Sequence, residues 1–395
     1  MDTLPIELIG LIIGYTDGGP HLALVCRSWR RLVKVGSASK HTCRLAADGH
    51  LSLLQWYVAS GCRPDHDAFY DAAAHGHAHV LLWLLGAAER RGAGDMDRTH
   101  FPGDMMESAA RNGHLDVVEA IHAYFVHGGR TYGRGTNLCA VAARYGHPDI
   151  VRWGLANGHS CNAYTMGQVG KGGSVEIARF LADAGIGVDY RLFVNAAYKG
   201  HVDLVRWCVA NDMPRSAYAF AKAAGAGHLE VLRYLWACNP ADPQATPMCV
   251  ATEWVEEVAA RGGHIAVLDW LHDKIADRRH WRAIVCAAEE GQRDAVAWLL
   301  DHGFPRHDGC IRQAAQRNQK AMVEWLIAHG FPVPLRLDVD RFQRGPKRDL
   351  MHLLESHGTV VDASCFEALK RREAFRREAI EHGMTGWLSD DDDGS

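Results

Sequence analysis

The chain has 395 residues, a length that suits two or three ordinary domains or one long repeat array. Its 43 basic and 47 acidic side chains give a formal net charge of −4, and the run Asp390–Asp393 supplies all of that excess. The remaining body is formally neutral, which argues against a protein that coats nucleic acid, since that task needs a net basic face. Apolar residues make up 48% and charged residues 23%, ordinary values for a globular chain with ample core material. The 11 cysteines are scattered singly from Cys26 to Cys365 with no C-x-x-C pair. That spacing excludes a zinc ribbon or a dithiol redox motif and fits a reducing compartment. No basic segment followed by a long apolar core opens the chain, and the longest apolar run, near Val80–Ala88, is too short to span a bilayer. The expectation is a soluble intracellular protein without membrane contact, cytoplasmic, with nuclear import left open.

Residues 1–35 stand apart from the rest of the chain. They read Leu4-Pro5-Ile6-Glu7-Leu8, then Ile12-Ile13, then a break at Gly18-Gly19-Pro20, then Leu22 through Cys26 to Trp29 and Val33. Pro5 suits a helix start, and Leu8 and Ile12 share a helical face. The ordered set Leu4, Pro5, Glu7, Leu8, Ile12, Ile13, Val25, Cys26 and Trp29 resembles the F-box pattern L-P-x-E-L, I-L, V-C-r-x-W. That resemblance implies docking on a Skp-type adaptor of a cullin–RING ubiquitin ligase, with Leu4, Pro5, Leu8, Ile12 and Val25 on the adaptor-binding surface. The alternative, less favoured reading of the segment is an N-terminal helical cap for the repeats.

From residue 41 to residue 358 the sequence repeats itself. A turn glycine followed by histidine recurs at Gly49-His50, Gly76-His77, Gly113-His114, Gly146-His147, Gly200-His201, Gly227-His228 and Gly263-His264. Degenerate copies fall in phase at Gly173-Ser174, Gly291-Gln292, Asn318-Gln319 and Gly345-Pro346, making eleven short repeats. The steps from turn to turn are 27, 37, 33, 27, 27, 27, 36, 28, 27 and 27 residues. Each repeat reads as two short helices around the turn. Three residues before it stands a small side chain, from Ala46 to Ala315, that lets neighbouring helices approach. Five residues after it stands an apolar one, such as Leu54, Val118, Val205, Leu268 and Val323, and eight after it comes another, such as Ile121, Leu181 or Leu326. Alternating β-branched runs are absent between the turns, so the predicted class is all-α, a helical repeat solenoid. Excess length in the long steps falls within Ala87–Gly103, His127–Gly135 and Asn239–Ala251.

The segments Ala224-Gly-Ala-Gly-His-Leu-Glu-Val-Leu and Ala196-Ala-Tyr-Lys-Gly-His-Val-Asp-Leu-Val resemble the ankyrin repeat, whose second helix typically begins G-H-x-x-x-V. The usual ankyrin period is about 33 residues, so the shorter steps imply a hairpin finger trimmed to a loop.

Several features tempt a chemical reading. The 24 histidines suggest metal. Yet stacked helices lie about 8–10 Å apart while metal–ligand distances are about 2 Å, so each ring is expected to bond backbone near its turn. Trp56, Trp83, Trp153, Trp207, Trp270, Trp298 and Trp325 all stand seven residues past a turn, with Phe180 and Tyr234 in the same slot, and read as inter-repeat packing. The stretch Gly167–Ser174 lacks the spacing and preceding strand of a phosphate loop. No nucleophile, metal or paired-carboxylate motif occurs, and the expectation is a non-enzyme with no cofactor and no metal. Six residues past the turn, Arg152, Arg179, Arg206 and Arg233 occupy four consecutive repeats. They offer either a partner-binding row or a solvated helix face.

After the repeats, Ser364–Glu367 has the form of a capping box that opens a charged helix. The expected domains are thus 1–35, 41–358, a C-terminal capping helix over 359–383, and an acidic disordered tail over 384–395. Together the two resemblances imply a protein–protein interaction adaptor that joins a target to a ubiquitin ligase. F-box and ankyrin combinations of this kind resemble proteins of large DNA viruses, which implies host targets and the host cell cytoplasm. An ankyrin scaffold with no ubiquitin role is the alternative, and nucleic acid is the least favoured partner.

Overall fold

The turn glycines decide the local structure. In the computed structural model, which describes residues 38–59, 63–91, 102–127, 137–213, 217–238, 252–274, 280–337 and 348–361, they adopt φ between +72° and +81° wherever they close a first helix. Only glycine enters that left-handed region without strain. Asn318 takes the same role at φ +58°, as the residue type next best suited to it. At most of these turns the backbone N–H of the following residue reaches back five positions: His77 to Ala72 O at 2.9 Å, His228 to Ala223 O at 2.9 Å, Gln319 to Ala314 O at 3.0 Å. This bonding satisfies carbonyls that the helix end would otherwise leave without partners.

The described chain is mostly helical. It divides into two compact units, Met1–Ala196 and Ala197–Ser395, with the division inside the helix Tyr190–Lys199. In the first unit the helix pairs are Ala38–Ala47 with Leu51–Ala59, His66–Ala74 with Ala78–Arg91, and Pro102–Arg111 with Leu115–His127. Leu138–Tyr145 with Pro148–Ala156 and Ala163–Gly172 with Val175–Asp183 complete the series. Each first helix packs on the next first helix. In the second unit Val202–Ala210 precedes the pairs Ala217–Gly225 with Leu229–Ala237 and Thr252–Arg261 with Ile265–Lys274. Trp281–Glu289 with Arg293–Asp301, Gly309–Gln316 with Lys320–Ala328, and the single helix Arg348–Ser356 follow. From Ala217–Gly225 to Gly309–Gln316 the first helices again pack in succession.

Burial follows the repeat register. The small residues three before the turn, Ala46, Ala73, Ala110, Ala143, Ala197, Ala224, Ala260, Ala288 and Ala315, are fully buried, and so are Leu54, Val118, Val205, Leu268 and Val323 five after it. Removing one such aliphatic side chain from water contributes about 1.5–3 kcal/mol, so the same few positions carry the core in every copy.

A second feature binds the copies to one another. The rings of five turn histidines lie over the turn glycine of the preceding copy, and the Nε2 of each donates to that copy's first helix. His77 reaches Ala47 O at 2.9 Å, His114 reaches Ala74 O at 3.0 Å, His147 reaches Arg111 O at 3.2 Å, His228 reaches Tyr198 O at 3.0 Å and His264 reaches Gly225 O at 3.1 Å. A carbonyl can only accept, so Nε2 carries the proton in all five. Gln319 makes the same bond, Nε2 to Glu289 O at 3.1 Å. The expected backbone partner is therefore real, but it belongs to the preceding copy rather than to the ring's own turn. Where Ser174 replaces histidine, its Oγ instead accepts from Ile177 N at 3.3 Å and starts its own helix. A Cβ on Gly146, the turn glycine before it, would face open space.

The glycine-rich stretch at 167–174 is mostly helix, Ala163–Gly172, opened by an Asn162 capping box, in keeping with its place in the repeat register. A Cβ on Gly170 would meet Leu192 O at 2.5 Å, and one on Gly172 would run into Ala143 O. These glycines let neighbouring backbones touch. The excess length of the 37-residue step is not all loop, because Ala78–Arg91 continues for 14 residues and takes up Ala87–Arg91. Arg336–Leu337 and Val360–Val361 form a parallel pair around the last described helix. Two residues per strand are too few to leave an alternating pattern in the sequence. No described helix is long and apolar enough to cross a membrane.

Candidate functional site

The second-helix arginines are exposed, and three are already engaged. Arg152 pairs with Asp149 at 3.3 Å and with Glu176 of the next copy at 2.5 Å, and its guanidinium lies 5.8 Å over the Phe180 ring. Arg206 pairs with Asp203 at 3.5 Å and covers the Tyr234 ring at 5.6 Å. Arg233 pairs with Glu230 at 3.2 Å. Arg179 has no ion pair among the described residues. A carboxylate three residues before each paired arginine sits in the first turn of the same helix, where a negative charge is favourable. The row is therefore neutralised by its own helices, and it also ties adjacent second helices through ring contacts.

The aromatic slot seven past the turn is half-buried from Trp83 to Trp325 in the described copies that show it. Trp153 meets His122 of the preceding copy edge-on at 5.1 Å, and Trp298 meets His272 of its preceding copy at 5.9 Å. This is the inter-repeat packing expected of it. At the helix ends, His302 and His329 stack on Trp298 and Trp325 at 3.8 Å, and each donates from Nδ1 to that tryptophan's carbonyl.

First-helix faces carry a set of side chains that the sequence pattern did not single out. A basic residue occupies the last turn of several first helices: Arg111, Arg144, Lys171, Lys199, Lys222 and Arg261. In the first unit, Arg111 and Arg144 approach the same ring, Tyr145, with guanidinium carbons 5.7 and 5.8 Å from its centroid. Tyr145 is 46% exposed. In the second unit, the Lys222 ammonium lies 5.0 Å over Tyr218 and 5.9 Å over Tyr198, with Lys199 5.4 Å over Tyr198. Tyr198 and Tyr218 are 45% and 43% exposed, and Tyr218 stacks on Trp254 with centroids 5.8 Å apart. Arg111, Arg144, Lys199 and Lys222 have no carboxylate within ion-pair distance among the described residues, whereas Arg261 is held by Glu289 at 3.3 Å.

Cys43, Asp65 and Asp67 place one ligand atom each within 4.8 Å of one another. Burial, followed by the hydrogen bond to Asp65 at 3.0 Å, pushes the Cys43 thiol up to about 12. A thiol held protonated is a poor metal ligand. Cys208 and Cys310 are pushed up to about 12 by burial. Cys139 and Cys161 share a thiol–thiol hydrogen bond, which raises Cys139 and lowers Cys161.

The F-box-like positions Leu4, Pro5, Leu8, Ile12 and Val25 lie outside the described residues, as do the helix expected from Ser364 and the acidic tail. Neither a family model nor a curated protein matches the chain.

Proposed function

We propose that the chain is a non-catalytic protein–protein interaction adaptor: an ankyrin-like repeat solenoid holds a target while the N-terminal F-box-like module docks on a Skp-type adaptor of a cullin–RING ubiquitin ligase. The observation that carries the repeat half is the recurring glycine–histidine contact. One side-chain bond joins a copy to the one before it, and burial falls at the same few positions of each repeat. Architectures that add one unit at a time in this way leave long helix faces free for partners. The ligase half rests on the ordered set Leu4, Pro5, Glu7, Leu8, Ile12, Val25 and Trp29. A plain scaffold with no ubiquitin role is the second reading, favoured by a Leu4-to-Trp29 spacing tighter than the F-box pattern usually has. The working location is the cytoplasm, that of a host cell if the chain is viral.

Affinity purification from cells separates the two readings. The adaptor reading predicts that the intact chain recovers a Skp-type adaptor and a cullin, and that a copy lacking residues 1–35 recovers only the target. Recovery of the same proteins by both forms, with no cullin in either, would leave the scaffold.

A further inference from the structure

The contrast between the two helix faces locates charge that is free to bind. On the second helices, Arg152, Arg206 and Arg233 are matched by Asp149, Glu176, Asp203 and Glu230 at 2.5–3.5 Å. On the first helices, Arg111, Arg144, Lys199 and Lys222 lie over aromatic rings and are without carboxylate partners among the described residues. Their place in the last helical turn is explained by the helix dipole, which favours a cation there. The dipole does not explain why they converge on tyrosines that remain nearly half exposed. Large exposed rings flanked by charge are characteristic of binding surfaces.

We propose that each of these first-helix patches, Arg111–Tyr145–Arg144 in one unit and Lys199–Tyr198–Lys222–Tyr218 in the other, by itself binds a carboxylate-rich segment of a partner protein. The rings hold each cation in place through cation–π attraction worth about 0.5–1 kcal/mol at exposed sites, yet leave its hydrogen-bond donors free. A carboxylate arriving there meets positioned donors and costs little extra side-chain ordering. Apolar side chains between the carboxylates find the tyrosine edges and, in the second unit, Trp254. Single-stranded nucleic acid fits less well. Base stacking needs open ring faces, whereas the Tyr145 ring is approached by two guanidiniums and the Tyr218 ring by both Lys222 and Trp254.

The inference rests on the reading of the chain as a protein-binding scaffold and names the chemistry of what it holds. It is tested with the full chain and a fluorescein-labelled synthetic peptide of alternating glutamate and leucine, by anisotropy at low and high salt. Binding that weakens with salt is expected, and the R111Q/R144Q/K199Q/K222Q chain should bind about tenfold more weakly or worse. R152Q/R206Q/R233Q should bind as the intact chain does. Circular dichroism checks the fold of both. If the fourfold variant loses helix, R111Q/R144Q and K199Q/K222Q are measured separately, and each should lose part of the affinity. The proposal is overturned if the intact chain does not bind the peptide, or if the second-helix variant loses as much as the first-helix one. It is overturned equally if an oligothymidylate binds the same residues more tightly. Binding only after removal of residues 384–395 would show the chain's own acidic tail to be the occupant and would likewise overturn it. None of these outcomes depends on recovery of a cullin, so failure here and failure of the ligase reading are distinguishable.

Discussion

Gly200 should tolerate no side chain, and the cost can be split into two parts. Its φ of +77° costs an alanine about 1–2 kcal/mol for the left-handed backbone alone. The added Cβ would also stand 2.5 Å from His228 Nδ1 and 2.7 Å from Cε1. The ring must then swing away, which breaks its 3.0 Å bond to Tyr198 O and removes about 0.5–1.5 kcal/mol. Gly200→Ala should therefore destabilise the second unit by about 2–3 kcal/mol. Gly330, at φ +74° in the same unit, has nothing within 4 Å of its added Cβ, so Gly330→Ala should show only the backbone part. Urea unfolding followed by circular dichroism gives both values. On a His228→Ala background, the cost of Gly200→Ala should fall to that of Gly330→Ala, because the ring it strikes is gone. Equal losses at Gly200 and Gly330, or no coupling between Gly200→Ala and His228→Ala, would refute the interlocking role of the histidine.

Val205 is fully buried, so Val205→Asp should cost several kcal/mol and collapse the cooperative urea transition of the second unit. His228 is held below its ordinary value of 6.5, chiefly by burial and also by His264, His201 and Lys199, while its bond to Tyr198 opposes the shift. The unfolded chain then binds more protons than the folded one just below that value, so stability rises with pH through this window and is lost as pH falls from about 6.5. His228→Gln, which keeps the bond as Gln319 does, should flatten that dependence in urea midpoints measured on either side of pH 6.5. Iodoacetamide at neutral pH should label Cys161 before Cys139, Cys208 and Cys310, since Cys161 alone of these four is lowered; mass spectrometry reads the order. R152Q/R206Q/R233Q should leave the helical signal intact and cost well under about 1 kcal/mol per site, because exposed ion pairs contribute little.

The core was legible in the sequence because burial enforces it. A side chain larger than alanine at Ala143 or Ala224, or a polar one at Val118 or Val205, would break the packing in its copy, so the positions recur at fixed distance from the turn. The helix-ending role of the turn glycine was legible for the same reason. The partner of each turn histidine was not, since the carbonyl it bonds stands 30–40 residues earlier and is reached only once neighbouring copies stack. The pairing of Arg152, Arg206 and Arg233 was written in the sequence as Asp149, Asp203 and Glu230 three residues before, and following the arginines alone missed it. The Tyr145 patch was partly visible, since Arg111 and Arg144 both stand two residues before their turn glycines. The Tyr218 patch was not: Lys199 stands one residue before its turn and Lys222 five, because a solvent-facing position is not held to one register by packing.

The ligase reading is tested most directly by mixing the purified full-length chain with a purified Skp-type adaptor and measuring binding by calorimetry. A complex is expected that Leu4→Ala with Pro5→Ala abolishes, because a few anchor residues dominate small interfaces, while Val205→Asp and the first-helix variants leave it unchanged. An intact chain that gives no heat with the adaptor, or a Leu4/Pro5 variant that binds as tightly as the intact chain, would contradict it.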